Sequence, residues 1–415
     1  MSYRDRSKRT PHLPPVTKII LSEDHLRLRL AVLVLVLVIA FIALGVGLME
    51  AFTSDPGWKT MDCHTEEMTY RNDISLQYYL GSDGQNATTQ ERAVNAVYGR
   101  AMEEAYRLFN SEVLQEGNHN IAYLNAHPNE VVTVEPALYQ ALTLLEKAQL
   151  RYAYLAPLYA EYHPIFLSDN DVDAARFDPA RNQDQAADIR QLADLAADAE
   201  MTQLELLGDN QVCLRVSEEY LAFAQEYGFT DILDLSWMTN AFVVDYVADR
   251  LIEAGHTAGY LVSYDGFTRN LGGLEEDFAL NLFARQGSQT QLAGTMTYSG
   301  TFSVAVFRDY PVSATDRWHY RCYEDGGITS IYLDPADGMS KGAVSDLVVY
   351  ARDLSCAALM LRGAQAFIAD SFSDETLSDV NMGAIWSVED TIFYSQADAS
   401  ITMMEGSGMK LRFAE

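Results

Sequence analysis

Apolar positions along this chain fall into three kinds of run, each predicting a different element. From residue 30 to residue 49 twenty residues pass without a charge. At about 1.5 Å per residue they reach the roughly 30 Å of a hydrocarbon core, which predicts one membrane-spanning helix over residues 30–50. A buried core helix of that length would carry a charge or a cap, and a cleaved signal sequence would have a shorter run with a small-residue cleavage site behind it. A second kind of run has three-and-four spacing. Val94, Val97, Tyr98, Ala101, Met102, Ala105, Tyr106 and Phe109 predict a helix over residues 92–113. Another begins at Glu135-Pro136 and carries Leu138, Leu142 and Leu145, and a third covers residues 184–207. The third kind alternates or is β-rich, predicting strands at residues 212–216, 259–263, 278–284, 328–333 and 347–350. A longer run at 291–307 is predicted to turn at Ser299-Gly300.

Helices lie between groups of strands, which predicts an α/β fold of the mixed α+β kind. Residues 51–62, with the Pro56-Gly57 break, read as a stalk, and residues 63–415 show no linker and no repeat. They read as one large domain, or two interwoven lobes. The tyrosines at 152, 154, 159 and 162 have mixed spacing and read as core and groove lining rather than a stacking surface.

Charge adds direction. The chain has 29 Lys and Arg against 59 Asp and Glu, a net −30, which repels phosphate backbones and excludes nucleic acid as a partner. Residues 1–29 nonetheless carry seven basic and three acidic groups, a net +4, so residues 30–415 carry −34. The positive-inside rule then places residues 1–29 in the cytoplasm and residues 63–415 on the extracytoplasmic side of the cell membrane, as a single-pass protein. Cys63, Cys213, Cys322 and Cys356 all fall on that outer side, where at least one disulfide is expected, its pairing open. Asn86-Ala-Thr88 matches a glycosylation acceptor. The histidines form no zinc-ligand spacing, and neither a nucleophile elbow nor a phosphate loop occurs.

Four segments in order carry a resemblance. Residues 120–125 (Asn-Ile-Ala-Tyr-Leu-Asn) precede a short β-rich run and the helix of Leu138. Residues 234–245 read Asp-Leu-Ser-Trp-Met-Thr-Asn-Ala-Phe-Val-Val-Asp, and residues 261–272 read Leu-Val-Ser-Tyr-Asp-Gly-Phe-Thr-Arg-Asn-Leu-Gly. Asp334-Pro335-Ala336-Asp337-Gly338 comes after them, and residues 353–368 close the series. Together, over roughly residues 65–370, they resemble the FAD:protein FMN transferase (ApbE) family. The resemblance implies an FMN-transferase fold, FAD and Mg²⁺ as cofactors, and transfer of the FMN half to a Thr or Ser hydroxyl of an acceptor protein with release of AMP. By that resemblance Asn125, Asp234, Asp245, Gly266, Arg269 and Gly338 are cofactor-binding candidates and Asp334 the catalytic candidate. The residues alone allow plainer readings: Asp334-Pro335 with Gly338 is a tight-turn set, and Arg269 suits either an anion or a structural salt bridge.

Departures from the family's pattern bear on its chemistry. Cys356 and Met360 stand where the family holds Mg²⁺ with an Asp and a Thr, and sulfur suits soft metals, so no metal ligand is assigned. Asn240 replaces a Lys, Ile331 a His, Asp265 a Gly and Phe267 an Asp. Three functions remain: a degenerate pseudoenzyme that is a flavin- or nucleotide-binding or scaffold module of a membrane or redox assembly, with a protein partner in the envelope; an active Mg²⁺-dependent FMN transferase; or a surface partner-binding protein without flavin.

Overall fold

The computed structural model describes residues 31–41, 43–44, 54–63, 73–82, 84–287, 289–313, 316, 318–378, 382–396 and 399–414. The chain divides into two compact units, Met1–Ser54 and Asp55–Glu415.

In the first unit residues 31–41 and 43–44 are helical, and apolar side chains such as Leu35 and Phe41 are exposed. The rest of the predicted span 30–50, and residues 1–29 before it, lie outside the described residues. Among those described, no helix is long and apolar enough to cross a membrane. The single-pass expectation is therefore not carried by any described helix.

The second unit is a mixed α/β fold around a nine-stranded sheet, counted among the described residues. Its strands run in the order Gly57–Met61, Ile74–Leu80, Gly259–Ser263, Phe267–Asn270, Ser303–Arg308, Asp346–Ala351, Gly383–Val388, Thr391–Tyr394 and Lys410–Phe413. Every pairing is antiparallel except the last, which is parallel. The edge strand Gly57–Met61 falls within the stretch read as a stalk.

Period two explains how the central strands are buried on both faces. Ala305, Phe307, Leu347, Val349, Ala384 and Trp386 enter one core with the helices Ala87–Phe109, Thr239–Glu253 and Cys356–Phe367. Their alternates Val304, Val306, Val348, Tyr350 and Ile385 enter a second core beneath the three-stranded sheet of Asp277–Gln286, Gln289–Ser299 and Ser400–Met403. A third sheet, of Val131–Thr133, Gln211–Val216 and Thr202–Gly208, belongs with the helical stretch between residues 121 and 227.

Several expectations are corrected. The predicted helix over 184–207 ends at Ala197, because the Arg151 guanidinium donates to the Ala196 carbonyl at 2.7 and 3.0 Å and the Asp198 carboxylate accepts the Glu200 N–H. The chain then enters the strand Thr202–Gly208. The turn at Ser299-Gly300 exists, but its flanking strands do not pair with each other: the chain changes sheets there. The expected disulfide is absent; no bridge joins the four cysteines among the described residues. Cys213 is buried in its strand, and Cys356 is buried at a helix N-terminus with its thiol donating to the Thr268 carbonyl. Burial pushes both thiols up, which suits inert core groups. Asn86, in the glycosylation pattern, caps helix Ala87–Phe109 by accepting the Thr89 N–H.

Candidate functional site

The motif segments are tied to one another by a few polar side chains. Asn120 caps the short helix Ile121–Ala126. One turn later Asn125 accepts from the N–H groups of Ile232 and Leu233 and donates to the Leu233 carbonyl at 2.9 Å. Its amide thus substitutes for a strand partner and holds the approach to Asp234. Asp234 accepts from the Ser236 N–H and the Ser111 hydroxyl, both at 2.9 Å. Those bonds shape the turn into helix Thr239–Glu253, where Ser236 has φ of 45°. Burial pushes the Asp234 carboxyl up.

From that helix Asp245 reaches the N-terminus of a second one. Its carboxylate accepts the Cys356 N–H at 2.9 Å, the Ala357 N–H at 2.8 Å and the Arg269 guanidinium at 3.0 Å. Ser355 completes the cap by accepting the Ala358 N–H. Free N–H groups and the dipole at a helix start favour an anion there, and Asp245 is the anion supplied. Burial raises its carboxyl against the pull of Arg269 and the two amides. Arg269 spends its other nitrogen on Asp249 at 2.7 Å. Of its two sequence readings, the structure places it in a salt bridge.

Cys356 and Met360 lie on the inner face of the capped helix, both fully buried. They offer sulfur to a packed core. Among the described residues no group of three or more His, Cys, Asp or Glu is placed to hold a metal.

Asp334 opens the predicted turn. One carboxylate oxygen accepts the Ala336 N–H and the other takes Lys341 at 2.7 Å. Lys341 also contacts Asp337 and Asp370. The turn closes at Gly338, whose N–H donates to the Asp334 carbonyl and whose φ is 72°. A Cβ there would meet Ile189 and Leu158 at 2.7 and 2.8 Å. Gly266, at φ of 104°, is likewise pressed against Val306.

Asn240 donates to one oxygen of Asp265 at 2.9 Å, while the other oxygen is covered and without a hydrogen-bond partner. Burial pushes this carboxyl up to about 7. Next to it Tyr264 stacks on His319, their hydroxyl and Nε2 3.3 Å apart. Burial lowers the imidazole to about 4, so it is neutral at pH 7. Ile331 donates its N–H to the His319 carbonyl, so a histidine is backbone-paired with the position where the resemblance expects one. No sequence spacing signals that juxtaposition, since His319 belongs to none of the matched segments.

Around these groups the volume is filled by the protein's own rings. Trp237 packs edge-on against Tyr152, Phe307 and Tyr332 at centroid distances of 5.2–6.2 Å and donates its indole N–H to Tyr159. Phe367 stacks on Phe307 and meets Tyr332 edge-on. The four tyrosines of the 152–162 tract are buried, as core residues.

A magnesium-held FAD does not fit this donor set. The carboxylates at 245 and 334 are consumed by a helix N-terminus and by cations of the chain itself, and the ligand positions are buried sulfur.

No family sequence model matches this chain, and no curated protein sequence does. Solved structures do. The ApbE protein of Thermotoga maritima superposes with a TM-score of 0.54 at 13% identity, covering 84% of this chain and 97% of that one. The flavin transferase ApbE of Vibrio cholerae superposes with a TM-score of 0.53 at 12% identity, covering 84% and 98%. This chain therefore has the ApbE fold, as the ordered motif segments imply.

Proposed function

We propose that this chain is a non-catalytic member of the ApbE-fold group: a scaffold that is anchored to the cell membrane through residues 30–50, presents residues 55–415 on the extracytoplasmic side, and binds a protein partner of an envelope assembly. The observation that carries the reading is the use of Asp245. In a transferase of this fold the carboxylates and the neighbouring helix are expected to hold Mg²⁺ and its nucleotide; here Asp245 caps that helix through two N–H groups and the helix presents Cys356 and Met360 to the core. Phosphoryl-type transfer depends on cation clamping and positioning, and neither is supported by these residues. The anchor rests on the uncharged run of residues 30–49 and the charge difference across it.

The test is an FMN-transfer assay on the full chain with FAD, Mg²⁺ and a Thr-bearing acceptor peptide, reading AMP release and covalent flavin on the peptide. Neither is expected above the level without protein. Mg²⁺-dependent labelling with stoichiometric AMP would overturn the proposal in favour of an active transferase.

A further inference from the structure

A groove of about 550 Å³ opens beside the corner that Asn125 holds, between the loop after helix Ala87–Phe109, helix Ile121–Ala126 and helix Glu218–Tyr227. Its floor is apolar, with Leu114, Ala122, Leu221 and Phe229 lining it. Leu114 is 58% exposed. An isolated exposed apolar side chain is ordinary, but Leu114 stands at a concave lining that also carries Ala122, Leu221 and Phe229, the composition of a recognition surface. The walls are held in place: Asn125 fixes residues 232–233 by three hydrogen bonds, and Phe229 packs edge-on against Tyr220 and Phe223.

The rim supplies the complementary half of the specification. Glu112 and Asp231 line it, and among the described residues no Lys or Arg does. The chain beyond residue 29 carries −34, a field that attracts cations and turns away anionic lipid. A membrane surface is therefore the wrong occupant, and a chain segment combining apolar and basic side chains is the right one.

We infer that this groove receives a partner protein segment that inserts apolar side chains between flanking Lys or Arg residues. The inference rests on the scaffold reading and names the chemistry of the partner.

The test uses the full chain in neutral-lipid nanodiscs and a fluorescein-labelled Leu/Lys peptide with its leucines on one helical face, followed by fluorescence anisotropy. Its scrambled isomer, of the same charge and composition, controls for bulk attraction. The amphipathic peptide is expected to bind at least about tenfold more tightly than the isomer. Ala122→Trp, which fills the floor, and the pair Glu112→Lys with Asp231→Lys should each weaken it about tenfold or more, whereas Glu405→Lys on a distant exposed turn should leave it unchanged. Leu114→Ser, at an exposed position that tolerates substitution, repeats the floor test should Ala122→Trp fail to fold by circular dichroism. Absence of binding, equal binding of the two peptides, or groove variants that bind like the unaltered chain would each overturn the inference. AMP release in the transfer assay would instead overturn the scaffold reading, whatever the peptide does.

Discussion

Replacing Asp245 by Ala separates a residue that builds the fold from one held in reserve for chemistry. The substitution strips the acceptor from the N–H groups of Cys356 and Ala357 and leaves Arg269, whose side chain is 18% exposed, with Asp249 and the backbone carbonyl of residue 245. Loss of a helix cap costs about 1 kcal/mol, and each buried N–H left without a partner about 1–3 kcal/mol. Breaking a buried ion pair costs roughly 3–5 kcal/mol; the retained contact with Asp249 reduces that share. The cap and the two N–H groups are the same bonds, so with a reduced ion-pair share the total comes to about 3–7 kcal/mol, large against the marginal stability of any domain. Urea unfolding followed by tryptophan fluorescence reads it directly. With a slope of roughly 3 kcal/mol per molar for a unit of this size, the midpoint should fall by about 1 M or more. Arg269→Ala and the double variant complete a cycle whose coupling should be about 1–3 kcal/mol. A midpoint shift under about 0.3 M, with no coupling to Arg269, would mean that Asp245 does not hold this helix N-terminus and stays available to a ligand.

Other predictions bear on neighbouring groups. The Asp265 carboxyl is raised from 3.8 to about 7 in the folded chain, so the folded state holds its proton more tightly than the unfolded one. Its contribution is therefore fully present below about pH 4 and lost as pH rises through about 7, by up to roughly 4 kcal/mol and less where water reaches the side chain; Asp265→Asn should flatten that part of a thermal-denaturation pH profile, and an unchanged slope would count against it. Gly338→Ala forces a Cβ into Ile189 and Leu158 at positive φ, and strain plus overpacking should cost about 2–4 kcal/mol, visible as a lowered Tm; an unaltered Tm would contradict the tight turn.

Much of the fold is legible wherever one face of an element meets solvent. Helix Ala87–Phe109 shows its apolar stripe, and strand Gly259–Ser263 matches its predicted bounds, a short β-rich run whose burial alternates in the structure. Helix Ala156–Leu167 has no such stripe: Leu158, Tyr159, Tyr162, Ile165 and Phe166 are buried around its circumference, and two prolines interrupt the pattern. Strand Thr202–Gly208 merges in sequence with the helix before it, since the Arg151 contact that ends the helix comes from 45 residues away. The candidate site is legible only as positions. The motif order indicates which residues matter, but the duties of Asp245 depend on partners 24 and 111 residues distant. The Tyr264–His319 pair, 55 residues apart, leaves no local signal at all.

In the scaffold reading proposed above, the motif positions of this ApbE fold serve packing, capping and salt bridges rather than a magnesium–flavin complex. Titration of the full chain with FAD, followed by flavin fluorescence polarisation with and without Mg²⁺, tests it most directly. No saturable, Mg²⁺-dependent binding with a Kd below about 100 μM is expected. Saturable binding in that range that is abolished by chelation of Mg²⁺ would contradict it.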